Sequence, residues 1–519
     1  IKMNINNYWS KKSPEIAKSI FKDFLSQNKI IMDPFLGSGT SLQGAKELDL
    51  NVKFVGVELN QMPLVYANFN AQPPKLEKLI RSRDEFINFY KKNKKYYEFY
   101  DQNKGTYELE KVILDIFDNK VLVKSFMLKD DNLKRIEIDR KKDSKFFNIL
   151  NKAYSKRAIE FKKKLKRDLL LDENSRIAIK SQMYISNLYS PVAFFLLQEI
   201  CDKFKNNDII KIIISSVLHL TKYTDLRSQS QFPFWFPKKD AMERNILILI
   251  LKKFDSLIKN YDQSKKQIVK KRDFNSLSKS SEKSFLLINK PIQRIGLEVP
   301  DNSIDLIFTD PPYFDQVAYS EYLALWEFFL SYKKDNHFEL VQTNRKKGTK
   351  DKETYLKNLK KCFEVIVKKM KINSQAIIYF KDSKLSNVND FLNVLSNCGL
   401  SFIKQKHVPK KKYTYKQNTT KETTVSGDSL FYFKKTHKIL KPNINKPDFV
   451  NIEKIIINFT KKYLLKNKRA KIAEILDNGL IKELFLKGYL GSLKDSNVIY
   501  KILSKNYLID KLSRNLIEK

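Results

Sequence analysis

The start of the chain combines one amphipathic run with two short apolar runs. The segment PEIAKSIFKDFL follows Ser13 and has apolar residues at helical spacing, and Pro14 suits the first turn of a helix. The apolar runs KIIMD (29–33) and KFVGVELN (53–60) flank the helix-like segment SGTSLQGAKEL (38–48). A strand, a helix and a second strand in this order predict the opening of a doubly wound α/β sheet.

Five more strand-like runs follow residue 280. The first three are apolar throughout, as parallel strands buried on both faces are. A loop rich in Lys, Tyr and Thr joins the last two. In chain order these runs are SFLLIN (284–289), IDLIFTD (304–310), QAIIYF (375–380), LSFIKQKHV (400–408) and SLFYFKK (429–435).

Residues 75–280 have a different pattern, with long Lys-rich stretches at helical spacing and few strand signals. Their most apolar helices are LYSPVAFFLLQEI (188–200) and DIIKIIISSVLHL (208–220). A block this long with its own apolar residues predicts an inserted, mainly helical domain rather than a loop. The predicted organisation is a first α/β half (1–74), the insert (75–280), a second α/β half (281–440) and a helical C-terminal segment (441–519).

Composition adds a large positive charge to this picture. The 99 Lys and Arg residues outnumber the 58 Asp and Glu residues, which gives a net charge of +41. Nucleic acid is the simplest partner for so basic a chain, although an AT-rich genome would also favour Lys codons. The charge is uneven: residues 1–74 carry +2, 75–280 carry +19, 281–440 carry +11 and 441–519 carry +9.

Cysteine and histidine usage favours neither disulfides nor a bound metal. The cysteines, Cys201, Cys362 and Cys398, are far apart and form no CxxC pair, and the four histidines are equally scattered. The sequence shows no apolar run of 18 residues and no signal-peptide segment, so we expect a cytoplasmic protein with no membrane partner.

The first candidate site follows the first predicted strand. Its two glycines allow a tight turn against a ligand, and the start of a helix attracts a carboxylate or phosphate. Glu58 ends the second strand, where an acid can bind ribose hydroxyls. Together these features predict a nucleoside-binding site without a GxGxxG motif. The candidate residues of the loop, from DPFLGSGT, are Asp33, Pro34, Phe35, Gly37, Ser38, Gly39 and Thr40.

The second candidate site is the DPPY motif, which directly follows the apolar strand IDLIF. Its residues are Asp310, Pro311, Pro312 and Tyr313. Two prolines rigidify the turn and donate nothing to a strand ladder. Such a turn holds a carboxylate, a carbonyl and an aromatic ring in fixed relation, which suits a planar base with an exocyclic amine. The amine would meet Asp310 and the Pro311 carbonyl, and Tyr313 would stack on the ring.

DPFLGSGT and DPPY together resemble the hallmark motifs of the S-adenosylmethionine-dependent amino-methyltransferases that act on DNA bases. The resemblance covers roughly 1–74 and 281–435. It implies a Rossmann-like seven-stranded methyltransferase sheet with the strand order 3-2-1-4-5-7-6, in which 400–408 and 429–435 form the final antiparallel hairpin. It also implies a large mainly helical insertion and a helical C-terminal segment around this sheet.

The resemblance further implies S-adenosylmethionine as the cofactor and assigns residue roles. Gly37 and Gly39 would approach its methionine part, and Glu58 would bind the ribose hydroxyls. Asn289, at the end of the third strand, would lie near the adenine, where the family usually has an acid. The resemblance also implies that the reaction requires no metal.

The Asp of DPPY favours adenine N6 as the methyl acceptor, because cytosine-N4 enzymes more often have Ser there. The insert 75–280 lies between the two motifs, where the family can place its target-recognition domain. Double-stranded DNA is then the expected substrate, with protein partners from a restriction or defence system. The alternatives are a cytosine-N4 DNA methyltransferase, an RNA guanine-N2 methyltransferase and a non-catalytic nucleic-acid-binding subunit.

Several further segments have predicted positions. Tyr8–Lys11 resembles a strip that closes over the cofactor, and Phe232–Pro237 would either wall the flipped base or fasten the insert to the core. The Lys-rich loops 345–350 and 404–421 would lie along DNA together with the insert. The stripe Tyr322, Trp326 and Phe329 has helical spacing and is predicted to be core.

Overall fold

The structure is a computed structural model that describes most of the chain. The described residues are 12–101, 105–115, 120–129, 134–139, 144–165, 167–174, 179–225, 240–261, 267–314, 317, 319–343, 349–409, 428–437, 448–510 and 515–518. The predictions for 8–11, 232–237, 345–348 and 410–421 lie outside these residues.

The strands in the described ranges are β1 (Ile30–Asp33), β2 (Lys53–Val57), β3 (Glu98–Asp101), β4 (Gly105–Asp115), β5 (Lys120–Lys129), β6 (Lys134–Asp139), β7 (Asp240–Arg244), β8 (Val269–Lys270), β9 (Ser284–Ile288), β10 (Ile304–Thr309), β11 (Met370–Tyr379), β12 (Leu400–Val408), β13 (Asp428–Lys435), β14 (Ala470–Lys471), β15 (Tyr507–Ile509) and β16 (Asn515–Glu518).

The α-helices there are α1 (Pro14–Phe24), α2 (Thr40–Lys46), α3 (Gln61–Ala71), α4 (Leu76–Asn93), α5 (Ser144–Lys163), α6 (Pro191–Lys203), α7 (Asp208–Thr221), α8 (Ile246–Lys259), α9 (Phe274–Ser278), α10 (Tyr319–Tyr322), α11 (Ala324–Leu330), α12 (Lys352–Lys369), α13 (Leu385–Asn397), α14 (Phe449–Asn467), α15 (Ile472–Ile475), α16 (Ile481–Leu486) and α17 (Ser496–Asn506). None of the described helices is long and apolar enough to cross a membrane.

An eight-stranded, largely parallel sheet has the order β12-β13-β11-β10-β1-β2-β9-β8. Strand β13 runs antiparallel to both β11 and β12, as expected for the final hairpin. The seven predicted strands therefore pair in the predicted order, but the count of seven is wrong by one. The extra strand, Val269–Lys270, pairs with β9 at the edge of the sheet. It is too short, and too close to neighbouring lysines, to be recognised by its apolar pattern.

Helices cover both faces of this sheet, which explains why its strands read as continuous apolar runs. Neighbouring residues on β1 point to opposite faces, so Ile31 and Met32 belong to different apolar clusters. Ile31 packs in the cluster that contains Phe21 of α1, and Met32 in the cluster that contains Phe363 of α12. Helix α1 begins as predicted, because Ser13 caps it by accepting a hydrogen bond from the Glu15 amide.

The inserted segment contains more strand than its sequence predicts. Strands β3, β4, β5 and β6 form an antiparallel sheet in this order, and β7 also pairs with β4. The sequence of β4, GTYELEKVILD, alternates apolar and charged residues with a period near two, and its Lys and Glu content disguises this alternation. Strand β8 and helix α9 also fall within 75–280, yet β8 belongs to the central sheet. The domain boundaries stay predictions.

The insert shares an apolar core with the second α/β half. Tyr322, Trp326 and Phe329 are buried, which confirms the prediction that this stripe is core. The Trp326 indole donates a hydrogen bond of 3.1 Å to the Ser215 carbonyl of α7. Ser215 also shares a hydrogen bond of 2.7 Å with the Tyr66 hydroxyl of α3, so α7 is linked to both halves of the sheet domain.

The C-terminal segment is helical as predicted but also contains a small antiparallel sheet with the order β14-β16-β15. Its apolar residues join the cluster that covers one face of the central sheet. His407 at the end of β12 contacts Asp477 of the C-terminal segment, with 2.7 Å between the ring Nδ1 and the carboxylate. The segment therefore packs on the final hairpin of the sheet.

Candidate active site

The two predicted loops meet at the carboxyl ends of the central strands. Strands β1 and β10 are parallel neighbours, with Ile31 opposite Leu306 and Met32 opposite Ile307, so their ends lie side by side. A cavity that is partly open to solvent lies at this edge, and both Glu58 and Asp310 line it. The predicted residues that line it are Asp33, Pro34, Phe35, Gly37, Ser38, Thr40, Glu58, Asp310 and Pro312.

Asp33 holds the first loop in place. Its carboxylate accepts hydrogen bonds from the Phe35 amide at 3.1 Å, the Ser41 hydroxyl at 2.5 Å and the Thr309 hydroxyl at 2.7 Å. Burial raises the pKa of Asp33 to about 6, against the lowering effect of these donors. The Asp33 side chain therefore fixes the geometry of the loop, in addition to any contact that it makes with a ligand.

The two glycines of the loop have different tasks. Both have positive φ, +54° for Gly37 and +80° for Gly39. Gly37 lines the cavity and its amide donates a hydrogen bond of 2.9 Å to Glu58. A Cβ on Gly39 would lie 2.7 Å from the Ala67 Cβ, so Gly39 is required where α2 approaches α3 and does not itself line the cavity.

Glu58 presents a buried carboxylate at the end of β2. Its two oxygens accept hydrogen bonds of 2.9 Å from the amides of Gly37 and Asn60. Burial raises its pKa to about 7, although these amides lower it. Since each carboxylate oxygen can accept two hydrogen bonds, both oxygens keep capacity for a ligand that carries hydroxyl groups.

Asn289 is not among the residues that line the cavity, and its place near the adenine stays a prediction. Its amide donates hydrogen bonds of 3.0 Å to the carbonyl oxygens of Glu58 and Leu59. These bonds join the ends of β2 and β9. The cavity wall that follows β9 is formed instead by the next residues, Lys290 to Gln293.

The DPPY turn is fixed from outside the cavity. The Tyr355 hydroxyl of α12 donates a hydrogen bond of 2.8 Å to the Pro312 carbonyl. Phe314, which has a φ of +36°, packs its ring on Tyr355 and accepts a hydrogen bond of 2.7 Å from the Gln342 amide. The sequence does not predict Tyr355, because a helical tyrosine more than forty residues downstream has no local signal of this contact.

Within the turn, Asp310 faces the cavity and Pro311 and Tyr313 do not line it. The Tyr313 hydroxyl donates a hydrogen bond to the Asp310 carboxylate. The Tyr313 ring packs edge-on against Phe380, with 5.2 Å between ring centroids. Among the described residues, none donates a hydrogen bond to the Pro311 carbonyl.

Lys12 is a further cavity residue that the sequence does not predict. Its ammonium lies 3.6 Å from Asp310 Oδ2 and 3.4 Å from Asp428 Oδ1, and 5.0 Å from the centroid of the Tyr379 ring. Desolvation raises the pKa of Asp310, and the attraction of Lys12 opposes this increase. The one available signal is position, because Lys12 directly follows the strip that resembles a cofactor cover.

The described residues contain no group of three or more His, Cys, Asp or Glu side chains arranged to hold a metal ion. The cavity lining instead combines acids, including Glu58 and Asp310, with apolar residues, including Phe35, Ile292 and Leu340. Glu58 and Asp310 follow β2 and β10, which lie on either side of β1. This arrangement can bind an elongated ligand with hydroxyl groups at one end and can place its other end beside Asp310.

Comparison with curated proteins gives one informative relative. The chain is 22% identical over 339 residues to the type II methyltransferase M.MjaII of Methanocaldococcus jannaschii. The alignment covers 61% of this chain and 60% of that protein. The chain thus spans less than two thirds of the relative's length. No protein-family model matches the chain.

Two of the solved structures that match the chain are distant from it. One is a Thermus thermophilus protein provisionally named a DNA modification methylase, with a TM-score of 0.18, 13% identity, and coverage of 32% of this chain and 58% of that one. Another is the Haemonchus contortus phosphoethanolamine N-methyltransferase 2 in complex with S-adenosyl-L-methionine, with a TM-score of 0.17, 6% identity, and coverage of 82% and 100%. At these TM-scores neither match informs the fold.

Proposed function

We propose that this protein is an S-adenosylmethionine-dependent DNA methyltransferase that methylates adenine N6 in double-stranded DNA. The observation that carries the proposal is that residues of DPFLGSGT and of DPPY, two motifs far apart in sequence, line one cavity at the carboxyl edge of the sheet together with Glu58. The likeness to a type II methyltransferase supports the same conclusion. A site at this edge is where open α/β sheets bind their ligands.

The cavity residues fit this cofactor. Glu58 retains acceptor capacity for two ribose hydroxyls, and a ligand that donates to it favours its ionised form. Lys290 to Gln293 follow β9 and would border the adenine, and Gly37 would border the methionine part. Asn289 would act indirectly by fixing the end of β2.

The bound cofactor would supply an electrophilic methyl group on its sulfonium. Transfer of this methyl group to adenine N6 would break its bond to sulfur and would leave S-adenosylhomocysteine. Asp310 and the Pro311 carbonyl would each accept a hydrogen bond from the N6 amine, which would make the nitrogen more nucleophilic. Asp310 would then take the proton that N6 loses and release it to solvent.

The target base would leave the duplex to reach this cavity, since N6 is otherwise enclosed by base pairing. Unstacking costs a few kcal/mol, which contacts inside the cavity must offset. Tyr319 lines the cavity and could pack against the base. Tyr313 could stack on the base only after its hydroxyl had released Asp310. The positively charged insert 75–280 would contact DNA phosphates and read the target sequence. A role in restriction-modification or phage defence would follow.

The test is transfer of labelled methyl groups to DNA amplified in vitro from a whole genome, which carries all short sequences and no modified bases. Wild type should label the DNA, and digestion to nucleosides followed by mass spectrometry should identify N6-methyladenine. Asp310→Ala should lower the rate by about a thousandfold or more, while Asp23→Ala, the same change at an exposed position of α1, should not.

Three results would reject the proposal in different ways. N4-methylcytosine as the product would keep the enzyme and change the base. Labelling of RNA alone would indicate an RNA methyltransferase. DNA binding without any labelling would indicate a nucleic-acid-binding subunit.

A further inference from the structure

Lys12 occupies the position beside Asp310 that a substrate amine would need. The ammonium lies between Asp310 and Asp428, and only 16% of its side chain is exposed. It also lies near two aromatic rings, at 5.0 Å from the centroid of Tyr379 and 5.8 Å from that of Tyr313. A cation over aromatic faces and between two carboxylates is held from several sides.

Both oxygens of Asp310 are engaged in this arrangement. Oδ1 accepts the hydrogen bond from the Tyr313 hydroxyl, and Oδ2 faces the Lys12 ammonium. Each oxygen can accept a further hydrogen bond, but Lys12 itself lines the cavity beside Oδ2, so an amine that enters from the cavity competes with the ammonium for this oxygen. Lys12 can give way without losing all of its neutralising contacts, because Asp428 offers it a second carboxylate at 3.4 Å.

We propose that Lys12 is a positioning residue for methyl transfer, which rests on the function proposed above. In the free protein its ammonium keeps the Asp310 carboxylate ionised and oriented toward the cavity. When the target amine binds, the ammonium shifts toward Asp428 and leaves Asp310 Oδ2 to the amine. Asp428 is thus the second anchor of Lys12.

The charges around Asp310 show why such a cation is needed. Asp310 interacts electrostatically with two other acids, Asp33 and Asp428. It also interacts with two tyrosines, Tyr313 and Tyr379. Desolvation and the negative charge of Asp428 favour protonation of Asp310, whereas Lys12 and the Tyr313 hydroxyl favour the carboxylate. A protonated Asp310 would lose part of its capacity to accept a hydrogen bond from N6.

The first test is the pH dependence of kcat/KM for DNA at saturating cofactor. Saturation keeps Glu58 in its ligand-bound form, so that the acidic limb reports Asp310. Lys12→Met should move this limb to higher pH by about one unit, which is about a tenfold loss at acidic pH and less at pH 8. Lys12→Arg should restore most of the loss because it keeps the charge.

Asp428→Asn should move the acidic limb in the opposite direction, to lower pH, because it removes a negative charge and leaves Lys12 on Asp310 alone. It should also raise KM for DNA, since the ammonium has lost its alternative partner. Lys22→Met removes the same charge from an exposed position of α1 and should leave the limb in place. The proposal would be overturned if Lys12→Met did not move the acidic limb, or if Lys22→Met moved it by as much.

A second readout does not depend on catalysis. Trace acetylation with labelled acetic anhydride across a pH series, followed by mass spectrometry of the Lys12 peptide, reports the ionisation of Lys12. Asp310→Asn should lower the pKa of Lys12, because the attraction of Asp310 is lost. An unchanged titration would show that the ion pair does not form. If labelling depends on Asp310 but wild type transfers no methyl group, the proposed function fails while the pairing stands.

Discussion

Thr309 donates a hydrogen bond of 2.7 Å to the Asp33 carboxylate and so links two loops that are 276 residues apart in the chain. Thr309 is the last residue of β10, and Asp33 is the last residue of β1. Because these strands are parallel neighbours, the two side chains meet where the cofactor loop and the catalytic loop begin. The position of either loop therefore depends on the other.

Replacing Thr309 with Val should weaken this link without changing the size of the side chain. Asp33 Oδ1 would keep only the Phe35 amide as a donor, so its pKa should rise further above about 6. Below this pKa the Asp33 carboxyl is protonated, so the lost hydrogen bond costs little stability. Above it, the buried carboxylate has one donor fewer. We expect the free energy of unfolding to fall by about 1 to 3 kcal/mol at pH 8 and by less at pH 5.

Urea unfolding of the Thr309→Val variant at both pH values would measure this difference. Thr309→Ser keeps the hydroxyl and should remain close to wild type at both. An equal loss at pH 5 and pH 8 would indicate that packing of the methyl group, rather than the hydrogen bond to Asp33, accounts for the effect.

Glu58 should make stability and cofactor binding respond to pH in opposite directions. Its pKa is raised from 4.5 to about 7 by burial, so the free protein should lose stability as the pH rises from about 4.5 through 7. Ligand hydroxyls favour the carboxylate, so affinity for S-adenosylmethionine should rise over the same interval. Glu58→Gln should flatten both trends, and at pH 8 its affinity should be at least about tenfold lower.

Calorimetric titration with S-adenosylmethionine and thermal melts at pH 5, 6, 7 and 8 would test this. The test compares how affinity and melting temperature change with pH. Their absolute values are less informative, because Gln cannot accept hydrogen bonds from both the Gly37 and Asn60 amides. Affinity that does not change with pH in wild type would remove Glu58 from the ribose site.

Much of the sheet and the place of its cavity could be predicted from the sequence. Residues 304–309 and 53–57 are buried runs without alternation, which indicate parallel strands, and DPFLGSGT and DPPY each directly follow such a run. What the sequence lacks is contact between distant side chains. Lys12 reaches Asp310, and Tyr355 reaches Pro312, only because strands and helices far apart in the chain become neighbours.

The Asn289 amide joins the ends of two strands, and its place near the cofactor's adenine stays a prediction. It donates to two carbonyl oxygens at 3.0 Å, at a position where the methyltransferases that this chain resembles usually have an acid. Asn289→Asp would place a carboxylate against the carbonyls of Glu58 and Leu59 and remove both donors. We expect a loss of about 1 to 3 kcal/mol in the free energy of unfolding and weaker binding of S-adenosylmethionine.

Thermal melts and calorimetric titration of Asn289→Asp beside Asn289→Ala would measure these effects. Alanine removes the donors without adding a charge, so its loss should be the smaller of the two. Tighter cofactor binding by the Asp variant would instead show that an acid at this position contacts the ligand directly.

DNA binding should depend steeply on salt if the insert and the second α/β half contact phosphates. Residues 75–280 and 281–440 carry most of the excess positive charge. A protein that makes six to ten phosphate contacts loses about 10³ to 10⁵ in affinity between 50 and 200 mM salt. Fluorescence anisotropy with a duplex oligonucleotide would measure the slope. An affinity that does not change with salt would contradict a phosphate-contacting role for these regions.

Tyr355 offers a test of how rigid the DPPY turn must be. Its hydroxyl donates to the Pro312 carbonyl from α12, while its ring packs on Phe314, whose φ of +36° is unusual for a residue other than glycine.

Tyr355→Phe removes only the hydrogen bond and should lower the free energy of unfolding by about 1 kcal/mol. Since Asp310 belongs to the same turn, we expect kcat to fall while KM for S-adenosylmethionine stays within about twofold, because Glu58 follows β2, which β1 separates from β10. Steady-state kinetics would separate the two constants, and Tyr500→Phe, the same change on α17, should alter neither. A rise in KM for the cofactor with unchanged kcat would show that Tyr355 supports the cofactor side of the cavity and not the catalytic turn.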